Sequence, residues 1–573
     1  MYIQGKIKES IQRELEEATG LKVSEKDLDK PPESSMGDFS TTIAFKYAEE
    51  RSKKPVEAAK EIKGKINPEL IEEIQVKGPY INFYIDREKY YSKVLEEAKK
   101  EKYGSSGEGK GKTIIVEYSS PNVAKPFHIG HLRSTILGQS LKNIYERLGY
   151  NTVAVNHLGD WGTQFGKIIT AYDKWGKPDK LKEDPIEHLY GLYVKFHEEA
   201  EKNLELEDEA REHFKNLEDG KKEEEELWNK FRELSIEKFK ETYNRLGVDF
   251  DEYKGEAHYV KSGEAHKVVE ESLEKNVAKE EKEGAVVIPL EEHGLTNLII
   301  QKEDGATIYS TRDLAAAKDR WKEHEFHRNL YVVGSEQNLH FKQLFKTLEM
   351  LGYEWSEKCE HVSYGLVDLP EGSMSTRKGK IIKLEDVLNE AQKRSMKAIE
   401  EKNPDLEEKE ETSDEVGKAA IIFTNLNQKR NKNIKFEWGK ALDFEGDTGP
   451  YLQYAHARAS GIIKEVKGEL LRENNIQKLV KNNELNPETG GLIKKLSEFP
   501  EKIKKAKDKR ETQEISKYLL ELTHKFTKFY QKCPVKHAET EELKKTRLET
   551  TKAFKNTLGQ GLKLLQITPL EEM

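Results

Sequence analysis

Two histidines around an Ile-Gly pair, His128-Ile129-Gly130-His131, are the residues of this chain best placed to do chemistry. Imidazoles at the mouth of a helix can donate hydrogen bonds to phosphate oxygens and stabilise charge that develops in a transition state. Gly130 lets a ligand approach the backbone because no Cβ intervenes. The plain alternative is that the histidines only cap a turn, the ordinary role for a lone histidine. A pair around a glycine, between a strand and a helix, favours the chemical role. No cysteine or carboxylate stands nearby at ligand spacing, which disfavours a metal.

The elements that must position the pair are legible around it. Thr113 to Val116 is an apolar, β-branched run that reads as a buried strand. A polar turn, Ser119-Ser120-Pro121-Asn122, follows. From Leu132 the apolar residues recur at helical spacing through Ile136, Leu137, Leu141, Ile144 and Leu148, and Gly149 stops the helix. A strand, a glycine turn and a helix open a nucleotide-binding α/β unit, and the free N–H groups at the helix start suit a phosphate.

The chain has 573 residues, enough for several domains. Its net charge of -9 excludes a uniformly basic nucleic-acid binder, so any RNA contact must use local basic patches. Cys359 and Cys533 lie far apart, which excludes a disulfide framework and disfavours a structural zinc cluster. No apolar run reaches membrane-span length, and the N-terminus, MYIQGKIKES, has no signal-peptide core. A soluble, cytoplasmic protein without membrane association is expected.

Residues 1–102 read as a small α+β domain, with an amphipathic helix at Ile7, Ile11 and Leu15 and two strands around the Gly78-Pro79 turn. The glycines between Tyr103 and Lys112 read as a flexible linker. A second strand, Thr152 to Val155, leads into the glycine-rich run from Asn156 to Gly166. A charged helical insertion follows, around residues 175–250, whose acidic blocks are solvated faces. In Asp304-Gly305-Ala306-Thr307-Ile308-Tyr309-Ser310-Thr311-Arg312-Asp313, Asp304-Gly305 marks a hairpin and Tyr309 ends its second strand. Asp313 then caps a helix from Leu314 to His324. Residues 371–440 form a loop and junction, and residues 441–573 a helical C-terminal domain.

His128-Ile129-Gly130-His131 matches the HIGH signature of class I aminoacyl-tRNA synthetases, and the longer string SSPNVAKPFHIGHLRST resembles the form found in arginyl-tRNA synthetases. The string EGDTGPYLQYAHAR, Glu445 to Arg458, is similar to a motif at the entrance of that family's anticodon-binding domain. The resemblance implies an α/β multidomain protein. A split Rossmann-like parallel-sheet catalytic domain, at 113–370, would stand between an N-terminal α+β domain and a C-terminal all-α anticodon-binding domain. It implies that ATP, carried with Mg²⁺, activates L-arginine to arginyl-adenylate, which is then transferred to tRNA(Arg). It also implies that adenylate formation needs bound tRNA. A monomer is expected.

A guanidinium presents five donors in a plane, so a selective pocket needs fixed carboxylates and other acceptors. On the family's arginine motifs fall Glu256, Tyr309 and Asp313 for the guanidinium, Asn122 and Gln337 for the amino-acid end, and Glu117 beside them. The ordinary readings are a helix cap for Asp313, a strand residue for Tyr309 and a turn residue for Asn122. The ATP contacts would be His128, Gly130 and His131. The counterpart of the family's KMSKS loop is Ser373-Met374-Ser375-Thr376-Arg377-Lys378-Gly379, where Ser373 and Thr376 replace the usual lysines. Met374 and Ser375 would touch ATP, and Arg377, Lys378 or Lys125 would supply the pyrophosphate's cation. For tRNA, the resemblance points to Asn82 and Phe83 in the N-terminal domain, where the ordinary readings, a turn residue and a core residue, are the stronger, and to Tyr451, Tyr454, Arg458 and Tyr530 in the C-terminal one. Residues 451, 454 and 458 share one helix face. The alternatives are a class I enzyme for cysteine, lysine or glutamine, and an inactive tRNA-binding scaffold. The lack of a cysteine set and the intact histidines weigh against them.

Overall fold

The computed structural model describes residues 2–24, 27–368, 382–466 and 476–573. Its central unit is a sheet of four parallel strands in the order Cys359–His361, Arg328–Tyr331, Thr113–Glu117, Asn151–Val155. Val116 pairs with Leu330 on one side and with Ala154 on the other. Alternate residues of the Thr113–Glu117 strand enter different cores. Ile114 and Val116 pack with Leu132, Ile136 and Leu330. Ile115 packs with Val155, Leu314 and Tyr331 on the opposite face. Burial on both faces explains why this strand reads as an unbroken apolar run.

The connections set the site. From Thr113–Glu117 the chain passes through the Ile129–Arg147 helix to Asn151–Val155 on one side. From Arg328–Tyr331 it passes through Asn338–Met350 to Cys359–His361 on the other. The strand order therefore reverses between the two central strands, and their carboxyl ends open a crevice of the kind that holds ligands in such sheets. The Ile129–Arg147 helix lies close to the sheet because Gly138 faces Tyr118. A Cβ there would stand 2.1 Å from the tyrosine ring.

Helices from Thr163–Trp175 through Lys222–Leu246 occupy the stretch between Asn151–Val155 and Glu256–Lys261. Lys279–Glu280, Val286–Ile288 and Leu298–Gln301 make a separate antiparallel sheet of three strands. The N-terminal domain carries a four-stranded antiparallel sheet, in which Tyr80–Ile85 lies between Phe39–Thr41 and Ile71–Lys77. Beyond the Ile434–Lys435 strand the described chain is helical, and Phe526 stacks on Phe554 between two of its helices at 3.7 Å. Among the described residues no helix is long and apolar enough to cross a membrane.

The glycines after Tyr103 are not a loose linker. Tyr103 is buried, packs on Phe499 and donates a hydrogen bond to the Leu496 carbonyl at 2.9 Å. A Cβ on Gly109 would meet Tyr150 at 2.3 Å. Glycine serves close approach here rather than flexibility.

Candidate active site

The crevice at the strand reversal is a cavity of about 600 Å³. Ser119, Asn122, His128 and His131 line it from one strand end, and Val333, Gly334 and Gln337 from the other. His128 is the N-cap of the Ile129–Arg147 helix, and the two histidines form a reciprocal capping box. His128 Nδ1 accepts from the Gly130 N–H at 3.1 Å, and His131 Nδ1 accepts from the His128 N–H at 3.2 Å. Their rings stack with centroids 3.8 Å apart. Capping uses only Nδ1 of each ring and leaves both Nε2 atoms uncommitted by it. An imidazole whose Nδ1 accepts from a backbone N–H carries its proton on Nε2. Burial, with help from the Lys125 ammonium, pushes His128 down to about 4, and burial beside His128 holds His131 well below the usual histidine range. Both rings are neutral Nε2–H donors at pH 7.

The helix start itself offers less to a phosphate than expected. The Ile129 N–H is bonded to the Ile382 carbonyl, Gly130 to His128 Nδ1, and His131 to the His128 carbonyl. The first-turn amides are spent, so the imidazoles are the donors left to face the cavity. Lys125 lies 5.0 Å from the Tyr193 ring centroid and does not line the cavity.

Behind Gln337 is the acidic cluster. The turn Ser335–Gln337 runs into the Asn338–Met350 helix, one turn of which separates Gln337 from His340. His340 Nε2 donates to Asp313 Oδ2 at 2.7 Å, and His157 Nε2 lies 3.4 Å from Asp313 Oδ1. Burial alone would raise the Asp313 carboxyl, but the two histidines hold it well below the usual range. Burial opposes charge on His157 too, yet Asp313 and Glu117 push it up to about 9. Asn122 reaches the same region from the His128 side, because Gly159 leaves room for its side chain. A Cβ at Gly159 would stand 2.3 Å from Asn122 Oδ1.

Several expectations are corrected. Tyr309 and Asp313 do not end a strand and cap a helix. The helix runs Tyr309–His324 with Ile308 as its N-cap, so the two share a face at a spacing of four, and the exposed Tyr309 ring lies 5.1 Å from His340. Glu256 is paired with Arg312, whose other arm donates to the Thr307 carbonyl at 2.7 Å. Glu117 faces Arg320 at 2.6 Å, with both side chains buried, so its carboxylate is committed within the fold. Glu256, Tyr309 and Asp313 do not line the 600 Å³ cavity itself. Asp313 is bound to His340, which stands one helical turn beyond the cavity-lining Gln337. Met374, Ser375, Arg377 and Lys378 lie outside the described residues.

Sequence reasoning did not single out His157, His340, Arg312 or Asp160. Asp160 is buried. It accepts from the Ala257 N–H at 2.8 Å and from Arg232 Nε at 2.8 Å, which ties the insertion to the Glu256 helix. Its signal was the His157-Leu158-Gly159-Asp160-Trp161-Gly162 run, in which polar residues are set among turn glycines.

The comparisons with known proteins decide the family. Residues 92–438 match the model for the class I (R) tRNA synthetase catalytic domain, 452–573 the DALR anticodon binding domain, and 5–85 the arginyl tRNA synthetase N terminal domain. The arginine–tRNA ligase of Clostridium acetobutylicum is 46% identical over 95% of this chain and 96% of its own length. That of Clostridium botulinum is 44% identical over 99% of this chain and 100% of its own. The chain belongs to the arginyl-tRNA synthetase family. A solved arginyl-tRNA synthetase from Thermus thermophilus matches over 100% of both chains, with a TM-score of 0.84 and 27% identity.

An arginyl-tRNA synthetase also needs surfaces for RNA. In the stretch matching the anticodon binding domain, the Arg458 guanidinium lies over two exposed rings, 4.6 Å from Tyr454 and 5.2 Å from Tyr530. It also donates to the Tyr454 hydroxyl at 2.9 Å. Tyr451 is half-buried, with its hydroxyl 3.2 Å from Thr527 Oγ1. In the N-terminal domain the core reading of Phe83 holds, and Asn82 is a strand residue rather than a turn residue. Asn82 and Phe83 sit in the middle of a central strand at 3% and 0% exposure, where neither can meet a base. The same strand exposes Tyr80, edge-on to the exposed Phe45 at 6.1 Å.

Proposed function

We propose that the chain binds ATP and arginine across the strand-reversal crevice, forms arginyl-adenylate and pyrophosphate there, and passes the arginyl group to the 3′ end of tRNA(Arg). As a member of its family it is an aminoacyl-tRNA ligase. One observation carries the assignment of parts. The stacked His128–His131 pair presents two neutral Nε2–H donors to a cavity that also holds Asn122 and Gln337, and His340, one helical turn beyond Gln337, is bound to Asp313. Donors fixed by a capping box need no reorganisation as charge develops on the phosphate, which is where such stabilisation is worth most. Mg²⁺ enters as part of the ATP substrate complex.

In this reading the arginine carboxylate attacks the α-phosphorus. His128 and His131 stabilise the phosphate oxygens, while Asn122 and Gln337 orient the amino-acid end. Asp313, Tyr309 and Glu256 take the guanidinium. Val367 and Ile382, which flank the stretch containing Met374, Ser375, Arg377 and Lys378, both line the cavity. This supports Arg377 or Lys378 as the cation for pyrophosphate, ahead of Lys125. The exposed Tyr454, Arg458 and Tyr530 form the anticodon-side surface, and the Tyr80–Phe45 pair replaces Asn82 and Phe83 in the N-terminal domain. A cytoplasmic monomer fits this reading, and sedimentation of the purified protein tests its mass.

Charging of total tRNA with each amino acid in turn tests the function. Only arginine should be attached, and charging with lysine, glutamine or cysteine instead would refute it. Asp313→Ala should raise the KM for arginine more than that for ATP, whereas His131→Ala should chiefly slow adenylation. The reverse pattern would overturn the division of roles.

A further inference from the structure

The acids assigned to the arginine site, and Glu117 beside them, are all engaged before any substrate arrives. Glu117 faces Arg320, Glu256 faces Arg312, and Asp313 faces both His157 and His340. A bound arginine adds another cation to a site whose acids already have partners. Arg312 and Arg320 cannot shed charge, because a guanidinium does not deprotonate in proteins. His157 can.

The geometry says that His157 carries a proton to give. Its Nδ1 lies 3.1 Å from the Lys254 carbonyl, and its Nε2 lies 3.4 Å from Asp313 Oδ1. Each ring nitrogen lies nearest an atom that can only accept, an arrangement that favours the doubly protonated ring. Nε2 is nevertheless buried with no well-formed hydrogen bond. Around the ring, Glu117 and Asp313 favour its charge and Arg320 opposes it. Glu256 interacts with it from the next helix, and the Tyr259 ring lies 6.0 Å away. His340 meets Asp313 on its other oxygen, and the Lys254 ammonium is turned to Asp319 and Glu323. About a quarter of the Asp313 side chain stays exposed, so a ligand can reach it.

We propose that arginine binding expels one proton from His157, converting the imidazole from a donor toward Asp313 into an acceptor for the incoming guanidinium. The Nε2–H bond breaks with its electron pair left on nitrogen, and the proton passes to solvent. Nδ1–H keeps its bond to the Lys254 carbonyl and holds the ring in place. Asp313 Oδ1 and His157 Nε2 then present adjacent acceptors, which suit a planar donor fork. The raised position of His157 in the free protein supports this, since its proton is still bound at neutral pH. His157 is a specificity-determining residue in this scheme, which rests on the arginine pocket assigned above.

Calorimetric titration of the full-length protein with arginine tests it, at pH 7.5 in buffers of different ionisation enthalpy. About one proton should be released per arginine bound, and His157→Gln should abolish the release. The arginine dissociation constant of the wild-type protein should fall nearly tenfold from pH 7 to pH 8, as linkage to one proton requires. Should His157→Gln not fold, the imidazole nitrogen signals of wild-type protein labelled with ¹⁵N at histidine decide. One charged ring should become neutral on arginine addition. Binding without proton release, release that persists in the variant, or unchanged ring signals would overturn the proposal while leaving the pocket standing. Failure of arginine to bind at all would overturn both.

Discussion

Replacing Glu117 by glutamine separates a substrate ligand from a structural acid. Glu117 and Arg320 meet at 2.6 Å, with only 8% and 1% of their side chains exposed. Arg320 also lies 5.4 Å from the Tyr331 ring centroid. Removing one partner of such a pair leaves an uncompensated buried charge, at a cost of about 3–5 kcal/mol. At roughly 2–4 °C per kcal/mol the catalytic-domain transition should fall by roughly 6–20 °C. Scanning calorimetry reads that shift. Removing both charges together, as Glu117→Leu with Arg320→Met, should recover most of it, because an apolar pair of similar volume tolerates burial. If Glu117→Gln melts like the wild type, raises the KM for arginine, and gains nothing from Arg320→Met, then Glu117 serves the substrate and the reasoning is refuted.

Other predictions follow the same logic. His128, held at about 4, and His131, held well below the usual histidine range, are neutral in the folded protein and charge more readily when unfolded. Stability should therefore fall as pH drops from about 6.5 to about 4, and the slope of melting temperature against pH should flatten in His128→Gln. Phe83→Ala should destabilise the N-terminal domain by about 3–5 kcal/mol, as loss of a buried aromatic does. Tyr80→Ala should leave melting unchanged and raise the KM for tRNA in charging assays. Arg458→Ala should weaken tRNA binding, read by filter retention, without moving the KM for arginine or ATP, since its contacts are two exposed rings far from the cavity residues in sequence.

What the chain reveals without coordinates is what short-range rules govern. The strand at Thr113, the helix from Leu132, and the turn that brings His128 and His131 to its mouth follow from local periodicity and capping, and the motif strings carry the family. The strand-reversal crevice is not legible there, because it depends on the pairing of Thr113–Glu117 with Arg328–Tyr331 across the whole insertion. Ionic partnership is different in kind. Glu117 chooses Arg320, Glu256 chooses Arg312, and Asp313 chooses His157 and His340, all across long stretches of chain. No local pattern encodes those choices, because a charge pairs with whatever the packed fold brings within a few ångströms. The same holds for Phe83 and Tyr80. Alternation along a strand says that they face opposite ways, and only the helices packed on one side of the sheet decide which of them meets water.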